Sequence, residues 1–320
     1  RVAAFLHVDP RGLALVQNAT EAVQVVLEAV DLRPGAEIVY TDHAYPWVEA
    51  AIARACERHG AVRRRVPLPA PVDGTVPAPA LVDALEGALT DRTALMVVDQ
   101  ITSASALRLP VEAVAAALGE RVPLLVDAAH APGLIERPVP EGAAFWVGNL
   151  HKWAFAARTA AALVVAPAWR ERVRPLVASA RAAEGFPGSF SYLGTQDPTA
   201  YLALPAALAF PEEHLGLTFE ALRRRNVAVL RAGLDLLAER LGVDAPVSNG
   251  LPIDTLPIGH GDDAAAVALA GRLRDAGVEV AITSVAGRLL ARVSVQAYVG
   301  LEGFERLARA LAAERPTPSA

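Results

Sequence analysis

The sequence predicts an α/β protein with a mostly parallel sheet in a large domain, residues 1–215, followed by a smaller α+β domain, residues 216–320. Three observations carry that reading. Short apolar runs, "AEIVYT", "ALMVVDQIT", "PLLVDAAH", "AAFWVGNL" and "AALVVAP", alternate with helical patterns such as "WVEAAIARACERHG" and "PVEAVAAALGER", the order of strands and crossover helices in a parallel sheet. The runs are continuously apolar rather than alternating, so both faces of the sheet are expected to be buried. After about residue 215 a long helical pattern, "LTFEALRRRNVAVLRAGLDLLAERLG", leads to strands in "IDTLPIG", "VEVAITS" and "RLLARVSVQAY", accompanied by helices in "AAAVALAGRLRDAG" and "GFERLARALAAE". The Pro-rich "PLPAPVDGTVPAPA" reads as a surface connection.

Composition narrows the function classes. The chain has 320 residues, of which 53% are hydrophobic and 20% charged, with a formal net charge of −5, which suits a globular protein of roughly two domains. Its arginines are scattered apart from Arg63–Arg65 and Arg223–Arg225, which read as solvated faces, so no nucleic-acid footprint is present. The longest apolar runs fall short of the ~20 residues that span a bilayer, and no membrane partner is expected. The single cysteine, Cys56, excludes an internal disulfide and a multi-cysteine metal site. A reducing, cytoplasmic setting is the simplest fit. His7, His59, His214 and His260 show no metal-ligand spacing, and no metal is expected. Trp47, Trp146 and Trp153 read as packing aromatics.

One residue stands apart. Lys152, in "VGNLHKWAFAAR", is the only lysine in a chain whose other fixed positive charges are all arginine. Arginine stays protonated, whereas a desolvated amine can lose its proton and become a nucleophile. A lysine that arginine cannot replace is a Schiff-base candidate.

Its surroundings are polar groups at the C-terminal ends of predicted strands, where open parallel sheets place ligands. In "LALVQNATEAVQVVL" an apolar run ends at Gln17-Asn18-Ala19-Thr20 and a helix begins, which suits either an ordinary N-cap or a phosphate cradle. Neither GxGxxG nor a Walker motif occurs, so the phosphate does not belong to a dinucleotide or nucleoside triphosphate. "LLVDAAHAPG" puts Asp127 at a strand end with His130 three residues later, and "WVGNLHKW" puts Asn149, His151 and Lys152 after the next. "VVDQITS" offers Asp99, Gln100, Thr102 and Ser103. An aspartate that can pair with a protonated ring nitrogen, a lysine and an upstream phosphate site form the constellation that pyridoxal 5'-phosphate chemistry requires.

These residues resemble the class V aminotransferase group of fold-type I pyridoxal-phosphate enzymes, and within it the isopenicillin N epimerase-like branch. The matching motifs are "NATEAV", "YTDHAY", "VVDQITSASALRLP", "VDAAHAPG", "GNLHKW", "YLGTQDPTAYLALPAAL" and "ARVSVQAY", in order over nearly the whole chain. The resemblance implies that Lys152 holds the cofactor, that Asp127 pairs with its ring nitrogen, and that Ala19, Thr20, Asn149 and His151 form the phosphate cup with Ser103 beside the cofactor. It implies that His130 meets the phenolic oxygen and that Arg292 binds the α-carboxylate of an amino-acid substrate. His43, with Tyr45 as its rival, is expected on the cofactor ring. Thr195 is expected to reach the cofactor of a neighbouring subunit, which implies a homodimer with shared sites. The resemblance implies a family N-terminal segment of some tens of residues, expected to be missing ahead of Arg1.

Two departures stand out. Related sequences carry histidine where Gln100 stands, and their Pro-x-Gly after the lysine is Ala157-Arg158-Thr159 here. The implied reaction begins with removal of the substrate's α-proton by Lys152. Return of the proton from the opposite face by His43 or Tyr45 gives an epimerase, return to the cofactor an aminotransferase, and loss of a β-substituent a carbon–sulfur or related β-lyase. A non-catalytic relative that keeps the fold is the remaining alternative. Desulfurization needs a cysteine nucleophile on a loop late in the chain, whereas Cys56 sits in an early helical pattern and reads as a small buried hydrophobe.

Overall fold

The computed structural model describes residues 1–71 and 75–314. The first elements are α1 (Val2–Phe5), β1 (Leu13–Val16), α2 (Ala19–Ala29), β2 (Glu37–Thr41), α3 (Pro46–His59), β3 (Val62–Val66), α4 (Ala78–Glu86), β4 (Thr93–Asp99) and α5 (Val111–Leu118). They are followed by β5 (Leu124–Asp127), β6 (Phe145–Asn149), α6 (Leu150–Trp153), β7 (Ala161–Val165), α7 (Thr199–Leu202) and α8 (Leu204–Leu215). Beyond these come α9 (Phe219–Leu241), β8 (Ile253–His260), α10 (Asp263–Asp275), β9 (Ala281–Val285), β10 (Arg288–Ser294) and α11 (Leu301–Ala313).

The described chain forms two compact units. The first holds most residues up to Gly216; the second takes Leu217 onward together with Ser103–Leu107. In the first, seven strands lie in the order β1-β7-β6-β5-β4-β2-β3. Every neighbouring pair is parallel except the two made by β7, which runs against both β6 and β1. The sheet is therefore mostly parallel, as expected.

The apolar runs explain the burial. All residues of β2, β5 and β6 are buried. Phe145 and Val147 on one face of β6 join Ile38, Tyr40, Val97 and Leu125 under α2 and α3. Trp146, fully buried, points the other way. Each such side chain contributes roughly 1.5–3 kcal/mol on leaving water.

Several expectations need correction. "VRRRV" is a strand, β3, at the sheet edge; Arg63 and Arg65 are exposed as expected, but Arg64 turns to the buried Glu37. The tail of the Pro-rich run enters α4, because proline at the first helical positions removes only an N–H that had no partner; residues 72–74 of that run lie outside the described residues. The continuous α8 runs through Pro211. Trp47 is 63% exposed and packs no core, unlike Trp146 and Trp153.

The second unit is a three-stranded antiparallel sheet, β8-β10-β9. Val293 and Leu256 face a core shared with α9, α10 and α11 through Leu234, Leu273 and Phe304. No helix among the described residues is long and apolar enough to cross a membrane.

Candidate active site

A cavity of about 180 Å³ opens at the C-terminal ends of β5 and β6, lined by Asn18, Ala19, Thr20, Tyr45, Val48, Asp127, Ala129, Asn149, His151 and Lys152. A larger one, about 580 Å³, lies in the second unit beside Val267, Ile282 and Phe304. Size does not decide between them. The smaller holds an amine, a buried carboxylate and a helix N-terminus that converge, and these are the groups that can do chemistry.

Each wall follows from local sequence. Asn18 caps α2, its Oδ1 accepting from Glu21 N at 2.8 Å, while Glu21 reaches back to accept from Gln17 N at 2.8 Å. This reciprocal cap aims the first turn of α2, Ala19 and Thr20, at the cavity. Asn149 ends β6, and its Oδ1 accepts from Ala19 N at 2.9 Å. Asn149 thus ties the lysine-bearing strand end to the helix N-terminus. The short helix α6 then presents Lys152.

His151 lines the same wall, its Nδ1 2.9 Å from the Ala160 carbonyl oxygen. Burial holds its imidazole below the ordinary value, against the backbone contact to Ala160 that favours the proton.

Asp127 is 3% exposed, and its Oδ1 accepts from Ala129 N at 3.0 Å. Burial pushes its carboxyl up; the Ala129 N–H and a positive charge on Lys152 oppose the shift. Beside it, in register on β4, lies Asp99, also 3% exposed. Burial, then the charge of Asp127, push the Asp99 carboxyl well up, further than that of Asp127. Backbone N–H groups of Asp99 itself and of Tyr45 bond the Asp99 carboxyl. That contact, which the sequence did not reveal, anchors the turn carrying Tyr45.

Of the two residues expected on the cofactor ring, Tyr45 lines the cavity. His43 turns to Asp42, Nδ1 to Oδ1 2.9 Å. His130 is 7% exposed, with Nε2 3.0 Å from Lys152 Nζ. Thr195 is exposed on the stretch before α7. Ser103 and Arg292 belong to the second unit, where Arg292 donates to the carbonyl of Ser103 and to its Oγ at 3.2 Å. Three more side chains of that unit grip the same segment: Thr283 donates to the Ala104 carbonyl at 2.8 Å, Thr255 to Ser105 at 3.5 Å and Asn249 to Ala106 at 2.8 Å.

Gln100, where relatives were expected to carry histidine, is fully buried; its Nε2 donates to the Pro138 carbonyl at 2.8 Å and its Oε1 accepts from Trp146 Nε1 at 3.3 Å. Both ends of the amide serve packing. Cys56 is buried within α3, and burial pushes its thiol up.

Comparison with known proteins supplies the wider context. The model of the family described as "Aminotransferase class-V" matches residues 1–235. An isopenicillin N epimerase of Streptomyces clavuligerus is 30% identical over 337 residues, covering 97% of this chain and 82% of that one. An L-cysteine desulfhydrase of Arabidopsis thaliana is 29% identical, covering 95% and 74%. A putative L-cysteine desulfhydrase 1 of Oryza sativa subsp. japonica is 32% identical over 73% of this chain, which spans about half, 52%, of that relative's length. Among solved structures, the cystine C–S lyase C-DES in complex with its product cysteine persulfide shares the fold with a TM-score of 0.77 at 20% identity, covering 98% of this chain and 85% of that one. The chain belongs to the class-V aminotransferase family of pyridoxal-phosphate enzymes.

Proposed function

We propose that this enzyme removes the α-proton of an amino acid with Lys152 as the base, and that its leading outcome is inversion at the α-carbon, as in isopenicillin N epimerase. The observation that carries the proposal is the convergence of Lys152, Asp127 and the N-terminus of α2 on one cavity.

The residues fit the cofactor. Asp127 is a buried carboxylate whose removal from water a protonated ring nitrogen would repay. The first turn of α2, held by Asn149, suits a phosphate. Bound there, pyridoxal phosphate supplies an aldehyde for the substrate's amino group and an electron-poor ring that acidifies the α-carbon.

The chain's own residues do the rest. Asp127 keeps the ring nitrogen protonated. Thr20, through its hydroxyl and backbone N–H, would take the phosphate beside Ala19, whose own N–H goes to Asn149, with Asn149 and His151 as its wall. Lys152 takes the α-proton from one face. Tyr45, rather than the Asp42-bound His43, is the better placed donor for the other. Arg292, with a planar fork suited to a carboxylate, receives the substrate's α-carboxylate, and Ser103 holds it in readiness. Thr195 serves the cofactor of a second subunit in a homodimer.

A second reading has its own support. Desulfhydrases are among the similar proteins, and β-elimination needs a single base and no second donor. Because the one cysteine is buried in α3, this chain would release sulfide rather than carry sulfur on a cysteine of its own.

Incubation of the holoenzyme with L-amino acids, L-cysteine included, in deuterated water separates the outcomes. Deuterium at an inverted α-carbon supports the epimerase, pyruvate with sulfide supports the lyase, and no exchange with any substrate counts against both.

A further inference from the structure

Trp153 follows the lysine directly, and its indole does more than fill space. Its Nε1 donates to His130 Nδ1 at 3.2 Å, and His130 Nε2 stands 3.0 Å from Lys152 Nζ. Trp153 is 7% exposed and His130 likewise. The two rings are tilted by 55°, with centroids 6.4 Å apart, so the indole edge addresses the imidazole nitrogen.

An indole N–H can only donate, so Nδ1 must be the accepting nitrogen. A neutral imidazole has one N–H and one lone pair, and the proton is therefore on Nε2. That N–H points at Lys152. An ammonium at Lys152 has three N–H bonds and no lone pair, so it cannot accept, while a neutral amine can. The chain of donors therefore runs one way, from indole to imidazole to amine.

The backbone holds this alignment. His130 lies in the loop after β5, and that loop turns at Gly133 with φ +89°, where a Cβ would come within 2.7 Å of the Trp153 carbonyl oxygen. Only glycine allows the loop carrying His130 to lie so close to the end of α6.

We propose that Trp153 is a positioning residue which fixes the tautomer of His130, so that an imidazole N–H addresses the lone pair of the Lys152 amine and favours the neutral amine over the ammonium. The proposal rests on Lys152 being the amine that meets the cofactor. It assigns His130 a task toward the lysine in addition to the one expected toward the cofactor's phenolic oxygen. Trp153 touches neither substrate nor cofactor in this role and acts through His130.

The test is nitrogen NMR of the full chain labelled at its histidine rings and freed of cofactor, with the His130 signals identified by their loss in His130→Ala. The wild type is expected to show a pyrrole-type Nε2 and a pyridine-type Nδ1, and Trp153→Phe a mixture of tautomers. A second readout is the rate at which Lys152 takes up pyridoxal phosphate. Trp153→Phe is expected to slow it about tenfold, the scale of one buried hydrogen bond, and to add nothing in a His130→Ala background. A proton on Nδ1 in the wild type would overturn the proposal without recourse to any variant. So would equal slowing by Trp153→Phe with and without His130, which would make Trp153 a packing residue. Failure of Lys152 to take up the cofactor at all would instead sink the functional reading, and the NMR result would stand apart from it.

Discussion

Two groups of buried acids sit at opposite ends of the same sheet and are treated in opposite ways. Glu37, at the N-terminal end of β2, is 1% exposed and fully partnered: Arg64 at 2.6 Å, Arg92 at 2.7 Å and Thr90 Oγ1 at 2.7 Å all reach its carboxylate. Hydrogen bonding from Arg64 leads the effects that bring its carboxyl down to about 2, despite its burial. Asp127 and Asp99, at the C-terminal ends of β5 and β4, are no more exposed than 3%. Backbone N–H groups of Asp99, Tyr45 and Ala129 donate to them, and both carboxyls are pushed up. Glu37 has its charge answered by two arginines, whereas Asp127 and Asp99 have only backbone N–H groups and the charge of Lys152 set against their burial, the kind of perturbed carboxyl that marks functional sites.

The largest expected effect separates the two ends. Asp127→Ala should lower α-proton exchange at least about a hundredfold, the scale of losing one preorganised electrostatic partner, with little loss of stability in the cofactor-free chain. Parallel exchange and denaturation measurements check this, and a variant that loses stability while exchange per folded molecule stays normal would break the comparison. Glu37→Gln should do the reverse. It should cost about 1–2 kcal/mol in urea denaturation, a value reduced because both arginines are partly exposed, and should leave exchange per folded molecule unchanged.

Acidity sharpens the contrast. The Glu37 carboxyl falls from an ordinary 4.5 to about 2 on folding, so its stabilisation is complete above about pH 4.5 and is lost as pH drops toward 2. The two aspartates are raised above 3.8, so they favour the folded chain at low pH and penalise it as pH rises through their folded values. Asp99→Asn should therefore flatten the stability profile of the cofactor-free chain above pH 3.8, and Glu37→Gln the profile below 4.5. The smallest effect is expected on activity: Asp99→Asn, which supplies a neutral side chain of the same shape, should change exchange only a few-fold. A collapse of exchange in Asp99→Asn would mean that Asp99 works as a carboxylate.

The same difference governs what the sequence made legible. β2, β4, β5 and β6 were readable because each is a continuous apolar run, and Asp127, Asn149 and Lys152 were readable because they end such runs. β3 was hidden because an edge strand can be polar, and "VRRRV" has no apolar stripe to betray it. The Asp99–Asp127 pair depends on strand register, Asn149 to Ala19 spans 130 positions, and Ser103–Arg292 spans 189. None of these leaves a local signal. That Tyr45 lines the cavity while His43 turns to Asp42 depends on a bond that became visible only once the turn was folded.

The most direct test of the central claim is borohydride reduction of the holoenzyme followed by peptide mapping. The account predicts a single pyridoxyl adduct, on Lys152, that is absent from Lys152→Ala. A protein that takes up pyridoxal phosphate yet carries no adduct on Lys152, or takes up none, would contradict it.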